Sequence, residues 1–179
     1  MADANLFTIY LVTPERVLVD GLASEVILRT GDGDITFLAG HTPLVGTVEP
    51  GVVRVVPDEG EVERLAVHGG FVQVEQGVVG EDGEPVASGT RVTLLIGVAE
   101  LAGEIDVDRA RVALDAAEAR VAELGGAGGR STGTGSGTGE GDEPDAVLVE
   151  AEAELRRAQV RLEAVDAASS TASTGASTA

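Results

Sequence analysis

The amino-acid sequence predicts a two-part fold: an N-terminal antiparallel β-sandwich over residues 1–101, then an antiparallel two-helix hairpin over 102–167. Three observations carry that prediction. Short runs rich in Val, Ile, Leu and Thr recur from residue 6 to about 97, each closed by a turn signal. Near residue 100 the composition shifts abruptly to Ala, Glu and Arg. Beyond that point two stretches share one apolar spacing and flank a segment rich in Gly, Ser and Thr.

The strand runs are LFTIYLVT, RVLV, EVILRT, ITFL, LVGTV, VVRVV, ERLAV, FVQVE and RVTLLI, with PE, DG, GDGD, AGHTP, EPG, PDEG, HGG and EDGE between them. Several alternate with period 2, as in Phe7-Ile9-Leu11 against Leu6-Thr8-Tyr10. Many short strands at close spacing argue for a sandwich or barrel and against βαβ units. From Asp106 to Leu124 no Gly or Pro interrupts a helix-favouring composition. Val107, Ala110, Leu114, Ala117, Val121 and Leu124 follow a 3-4-3-4-3 spacing, and Leu148, Ala151, Leu155, Ala158, Leu162 and Val165 repeat it. Pro144 suits the first turn of the second helix. Two such seams zip into an antiparallel pair, and their narrowness predicts a hairpin that detaches easily.

Residues 125–143, GGAGGRSTGTGSGTGEGDE, read as a flexible linker. Its random-coil span of roughly 24 Å exceeds the ~10 Å between packed helices. The end, residues 168–179, reads as a disordered tail.

Composition excludes several function classes. With 31 acidic residues against 12 basic ones the net charge is −19, so the basic stripe a nucleic-acid partner needs is missing. All the basic residues are arginine. Biased codon usage and a high-salt cytoplasm each account for this acidity. There is no cysteine. No apolar run approaches the ~20 residues needed to span a bilayer, which leads to the expectation of a soluble, cytoplasmic protein held at any membrane only by partners.

No catalytic constellation emerges either. GGAGGRST lacks the first glycine and the lysine of a phosphate loop, and no strand precedes it. His41 and His68 are the only histidines; no nucleophile elbow accompanies them and no metal-ligand spacing occurs. The chain reads as one that binds and transmits, not as an enzyme. In IDVDRA, Asp106 suits a helix N-cap and Asp108 the positive helix end; alternatively Asp106 and Arg109 are paired ligands for a nucleotide at a helix start. Arg156, Arg157 and Arg161 form the densest basic group, either as ordinary helix pairs such as Glu152 with Arg156, or as a docking site for an acidic partner.

GDITFLAGHTPLV followed by EPGVVRV resembles the epsilon subunit of bacterial F-type ATP synthases (delta in mitochondria). VTPERVLVDG, LAVHGGFVQVEQG and AELAGEIDVDRA agree with the same family, in the same order, across nearly the whole chain. Ala39 replaces a usual proline, residues 81–89 resemble an insertion, IGVAE replaces a more usual Ala-Asp-x-Ala-Glu, and the interhelical linker is unusually long.

The resemblance implies a non-catalytic rotor subunit of the central stalk. It implies contact of Asp34, His41, Thr42 and Pro43 with the c-ring and gamma, a corner stiffened by Pro43. It further implies a C-terminal hairpin that regulates ATP hydrolysis, with Arg156, Arg157 and Arg161 meeting the catalytic alpha/beta head when extended. Ile105, Asp106, Arg109 and Ala110 match the (I/L)-D-x-x-R-A motif that binds regulatory ATP in some members; no cofactor is otherwise required. The location implied is the cytoplasmic face of the bacterial inner membrane, peripheral and through the complex. The reading that competes is a stand-alone β-sandwich adaptor with a coiled-coil arm.

Overall fold

Strand β1 (Phe7–Val12) places Phe7, Ile9 and Leu11 on one face, all fully buried, so period 2 is realised from the start of the chain. The computed structural model describes residues 5–79, 87–128 and 146–174. Eight further strands follow: β2 (Val17–Thr30), β3 (Gly33–Phe37), β4 (Leu44–Val48), β5 (Gly51–Pro57), β6 (Glu63–Val67), β7 (Gly70–Glu75), β8 (Arg91–Ile96) and β9 (Ala99–Leu101). A 3-10 turn (Ala102–Glu104) leads into α1 (Val107–Gly128), and α2 (Ala146–Thr174) closes the described chain.

The strands form one continuous sheet in the order β4-β7-β8-β1-β2-β5-β6-β9, with β3 also paired to β2. The sheet folds over on itself as a sandwich because β2 serves both layers. Its first half pairs with β1 and its second half with β3 and β5. The register slips between Ala23 and Glu25, leaving Ser24 as the extra residue. Such a bulge bends and twists a strand. RVLV and EVILRT, expected as separate strands, are thus the two arms of one fourteen-residue strand. Among the described residues, β1 and β8 are the one parallel pair. The main core gathers inward residues from β1 to β8, with Phe7, Phe37, Leu28, Val53, Leu65, Val72 and Leu94 among them.

β6 departs from simple alternation. Leu65, Ala66 and Val67 are all buried, because Leu65 and Val67 enter the sandwich while Ala66 lies under α2. The methyl side chain at 66 lets the helix approach the sheet closely. The seam positions are the more buried ones along α1, and Leu148, Ala151 and Ala158 continue that pattern in α2. Further on, Val160 and Ala164, which meet the sheet, are buried more deeply than the seam residues Leu162 and Val165. Arg120 reaches Glu154 while Ala113 lies near Arg161, so the pair is antiparallel.

Helix ends differ from expectation. α1 runs to Gly128, four residues into the expected linker, since extending an existing helix adds a hydrogen bond per residue without a new nucleus. α2 runs to Thr174, into the stretch expected as a disordered tail from residue 168. Ala168 packs on the hairpin's apolar cluster, and the Ser169 and Ser170 hydroxyls bond back to the Val165 and Ala167 carbonyls. Linker residues 129–143, Pro144, insertion residues 81–86 and tail residues 175–179 lie outside the described residues. Among the described residues no helix is long and apolar enough to cross a membrane.

Candidate functional site

The corner after β3 is held from several sides. Gly40 takes a left-handed φ of 79°, and its N–H donates to the Thr90 hydroxyl at 2.9 Å. The His41 N–H closes a turn on the Leu38 carbonyl at 3.1 Å, and the Gln76 side-chain amide donates to the His41 carbonyl at 2.6 Å. The His41 ring stands edge-on to Phe37 with centroids 4.9 Å apart. Its Nδ1 lies 2.8 Å from the Thr42 carbonyl, which can only accept, so the proton of that bond sits on Nδ1. Thr42 and Pro43 are left exposed on this fixed corner.

Asp34 stands at the other end of β3. It faces Arg29 across the β2–β3 register and pairs with it, Nε to Oδ1, at 2.9 Å. That hydrogen bond holds the Asp34 carboxyl below the usual carboxylate range. Asp34, Arg29 and Glu163 of α2 border one cleft of about 350 Å³. Asp34 and His41 are therefore set by different neighbours, and Asp34 borders the hairpin.

The outer face of β4, β7 and β8 carries residues that the sequence reading passed over. Thr47, Phe71 and Leu95 stand in one cross-strand row, with Val45, Gln73 and Thr93 beside it. Val45 is 74% exposed, Phe71 58% and Leu95 49%, with exposed Val98 just beyond β8. Large apolar side chains exposed together on one sheet face make it a candidate docking surface. The signal was present in FVQVE: alternation buries Val72 and Val74, which leaves the largest side chain of the run on the solvent face.

The hairpin docks on the sandwich through a second, separate cluster: Ala66, Ala102, Ile105, Ala110, Val160 and Ala164. Polar contacts flank it. Arg156 donates to the Pro50 carbonyl at 3.3 Å, and Arg161 Nε to Glu100 at 2.7 Å. Arg157 lines the groove between the helices with Arg120 and Arg161. The three arginines are half-buried here.

IDVDRA divides by role. Ile105 and Ala110 are buried in the docking cluster. Asp106 caps α1, its Oδ1 accepting the Arg109 N–H at 3.0 Å. Asp106 and Arg109 then border an open cleft of about 270 Å³ with Glu100, Glu104 and Arg161. Glu104 is tied to Arg16 of the β1–β2 turn, and that bond lowers its pKa. Among the described residues no cluster of His, Asp and Glu is arranged to hold a metal.

Residues 6–80 match the family model for the β-sandwich domain of the ATP synthase delta/epsilon chain. The ATP synthase epsilon chain of Thermobifida fusca is 44% identical over 121 residues, which covers 66% of this chain and 79% of that one. The chain belongs to the ATP synthase epsilon-chain family. The Brevibacillus brevis epsilon chain is 38% identical over 116 residues, covering 65% of this chain and 78% of its own length. The Nocardia farcinica epsilon chain is 43% identical over 121 residues, with 67% and 83% covered. The fold is also that of a chain in the Euglena gracilis mitochondrial ATP synthase, solved with OSCP, F1 and c-ring. The TM-score there is 0.61 at 21% identity, over 92% of this chain and 81% of the other. An epsilon-family sandwich with its hairpin folded down replaces the stand-alone adaptor reading.

Proposed function

We propose that the chain is the central-stalk rotor subunit of an F-type ATP synthase, coupling rotation of the c-ring to gamma and opposing ATP hydrolysis through its C-terminal hairpin. In this reading it performs no chemistry itself, and it sits peripherally on the cytoplasmic face of the bacterial inner membrane through the complex. The observation that carries the coupling role is the apolar face of Val45, Phe71 and Leu95, a rigid β-surface exposed in the free chain. Gamma is its occupant. The corner of His41, Thr42 and Pro43 supplies the c-ring contact, where a fixed backbone transmits torque without yielding.

The docked hairpin supports the regulatory role. Its interface is built mostly of alanine and valine, outside the sandwich core, so α2 can leave without unfolding the β-domain. Leaving breaks the bonds of Arg156 to Pro50 and of Arg161 to Glu100 and frees these arginines, with Arg157, for an acidic segment of the catalytic head. Docking and inhibition then compete for the same side chains.

Phe71→Asp tests the coupling surface. The ring already faces solvent, so the variant folds, and it is expected to lose co-purification with gamma by at least about tenfold for the removal of a central aromatic anchor. Undiminished binding would move the gamma contact elsewhere.

A second reading concerns regulatory ATP. The cleft beside the α1 N-terminus joins Arg109 and Arg161 to a helix start, a combination suited to phosphate oxygens. A nucleotide there would favour the folded-down hairpin through differential affinity for the two states. Calorimetric titration with ATP is expected to give saturable heat with the natural chain and none with Arg109→Ala. Equal heats from both, or none from either, would remove this site.

A further inference from the structure

His68 lies between the sandwich and the hairpin, and no role discussed so far uses it. Its N–H donates to the Val98 carbonyl at 3.1 Å, so the residue is anchored in the corner that joins β6 to β7. Its side chain is only 4% exposed, yet among the described residues neither ring nitrogen has a partner within hydrogen-bond distance. The closest charge is Glu100 of β9, whose Oε1 stands 3.5 Å from Nε2. That same oxygen already accepts from Arg161 of α2 at 2.7 Å. Arg157, one position round from Arg156 on α2, also acts on the imidazole. Among the described residues, the charged groups that act on His68 are therefore one carboxylate from β9 and two guanidinium groups from α2.

We infer that His68 is a proton-operated release for the hairpin: protonated, its buried ring places a third cation at a half-buried contact that holds one carboxylate, and α2 lifts from the sandwich. The burial of the ring is the chief cause that disfavours the charged form in the docked state; Arg161 adds to it, Glu100 opposes it, and Arg157 adds less. Once α2 departs, both arginines leave and the ring meets water, so its pKa returns toward the ordinary histidine value of about 6.5. The sign follows. Well above that value the ring is neutral in both states and docking is at full strength. As pH falls through that value the undocked state takes up a proton that the docked state resists, so docking weakens. Resting on the proposed function, acidification would hand α2 to the catalytic head.

The test uses the full chain alone, so it can fail without touching the coupling reading, and gamma binding can fail without touching this one. The natural chain has no cysteine, so spin labels can be placed at Glu59→Cys in the β5–β6 turn and Asp166→Cys on α2, both exposed. Pulsed electron-resonance distances are recorded from pH 8 to 5.5. Expected is a several-fold rise in the long-distance population as pH falls, absent when His68→Gln is added. A rise that survives His68→Gln, or no rise in the labelled parent, overturns the proposal. Should His68→Gln fail to fold, proton NMR of the two histidine rings decides instead: a His68 midpoint at or above the ordinary value overturns it.

Discussion

Gly70→Ala is expected to destabilise the sandwich by more than about 3 kcal/mol, measured as the urea midpoint of the full chain. A Cβ at position 70 would fall 2.3 Å from the Leu95 carbonyl oxygen, 2.9 Å from Ile96 Cδ1 and 3.0 Å from Ile96 Cα. Two of these are backbone atoms of β8, the strand with which Gly70 pairs opposite Ile96. Neither can yield unless the β7–β8 ladder opens at that end. The loss is a large share of the roughly 5–15 kcal/mol that holds a domain folded. Gly46→Ala is the control, since its Cβ meets only Val72 Cγ1, at 3.7 Å. It should shift stability by less than about 1 kcal/mol. Equal effects from the two would mean that the close approach at Gly70 is not what limits the strand.

Ala164→Asp is expected to free α2 while the sandwich stays folded. Ala164 is fully buried and packs in the cluster with Ala66 and Val160. A carboxylate forced into that apolar contact costs several kcal/mol unless it escapes to water, and lifting α2 is the escape open to it. No residue of this cluster belongs to the sandwich core, so the cost need not spread. Trypsin reports the outcome, because the chain's basic residues are all arginine and α2 carries Arg156, Arg157 and Arg161. Cleavage there should accelerate by about tenfold or more, with β-sheet circular dichroism retained. Ala153→Asp, on the exposed side of α2, should leave cleavage unchanged. Undisturbed protection of the arginines in Ala164→Asp would mean that the docked hairpin does not depend on this contact. Under the proposed function the same variant inhibits ATP hydrolysis more strongly than the natural chain.

Much of the fold was legible because its signals are local. Period-2 burial at Phe7, Ile9 and Leu11 follows from the pleat alone, and the 3-4 seams of the helices follow from 3.6 residues per turn. Asp106 at the helix start is local too, since its carboxylate reaches an N–H three residues on. Other features depend on partners distant in the chain. The union of two runs into β2 required a bulge set by β5, and β9 forms only because β6 offers Leu65, Ala66 and Val67 an antiparallel partner. Val160 and Ala164 lie off the α1-facing seam, and nothing in α2 itself says that a sheet would cover them. Phe71 was readable as an anomaly within its own strand, but its neighbours Val45 and Leu95 are more than twenty residues away on each side.

The sequence by itself determined the kinds of element, their order, the family, and the absence of a cysteine or of a basic stripe. These depend on residue type and spacing along the chain. The tertiary structure decided which surfaces remain open and which charges meet. It put Asp34 beside Arg29 and the hairpin, turned the α2 arginines onto the sandwich, and enclosed His68 between Glu100 and Arg161. Electrostatic and packing energies depend on distances of a few ångströms between residues far apart in the chain, so only the folded chain sets them.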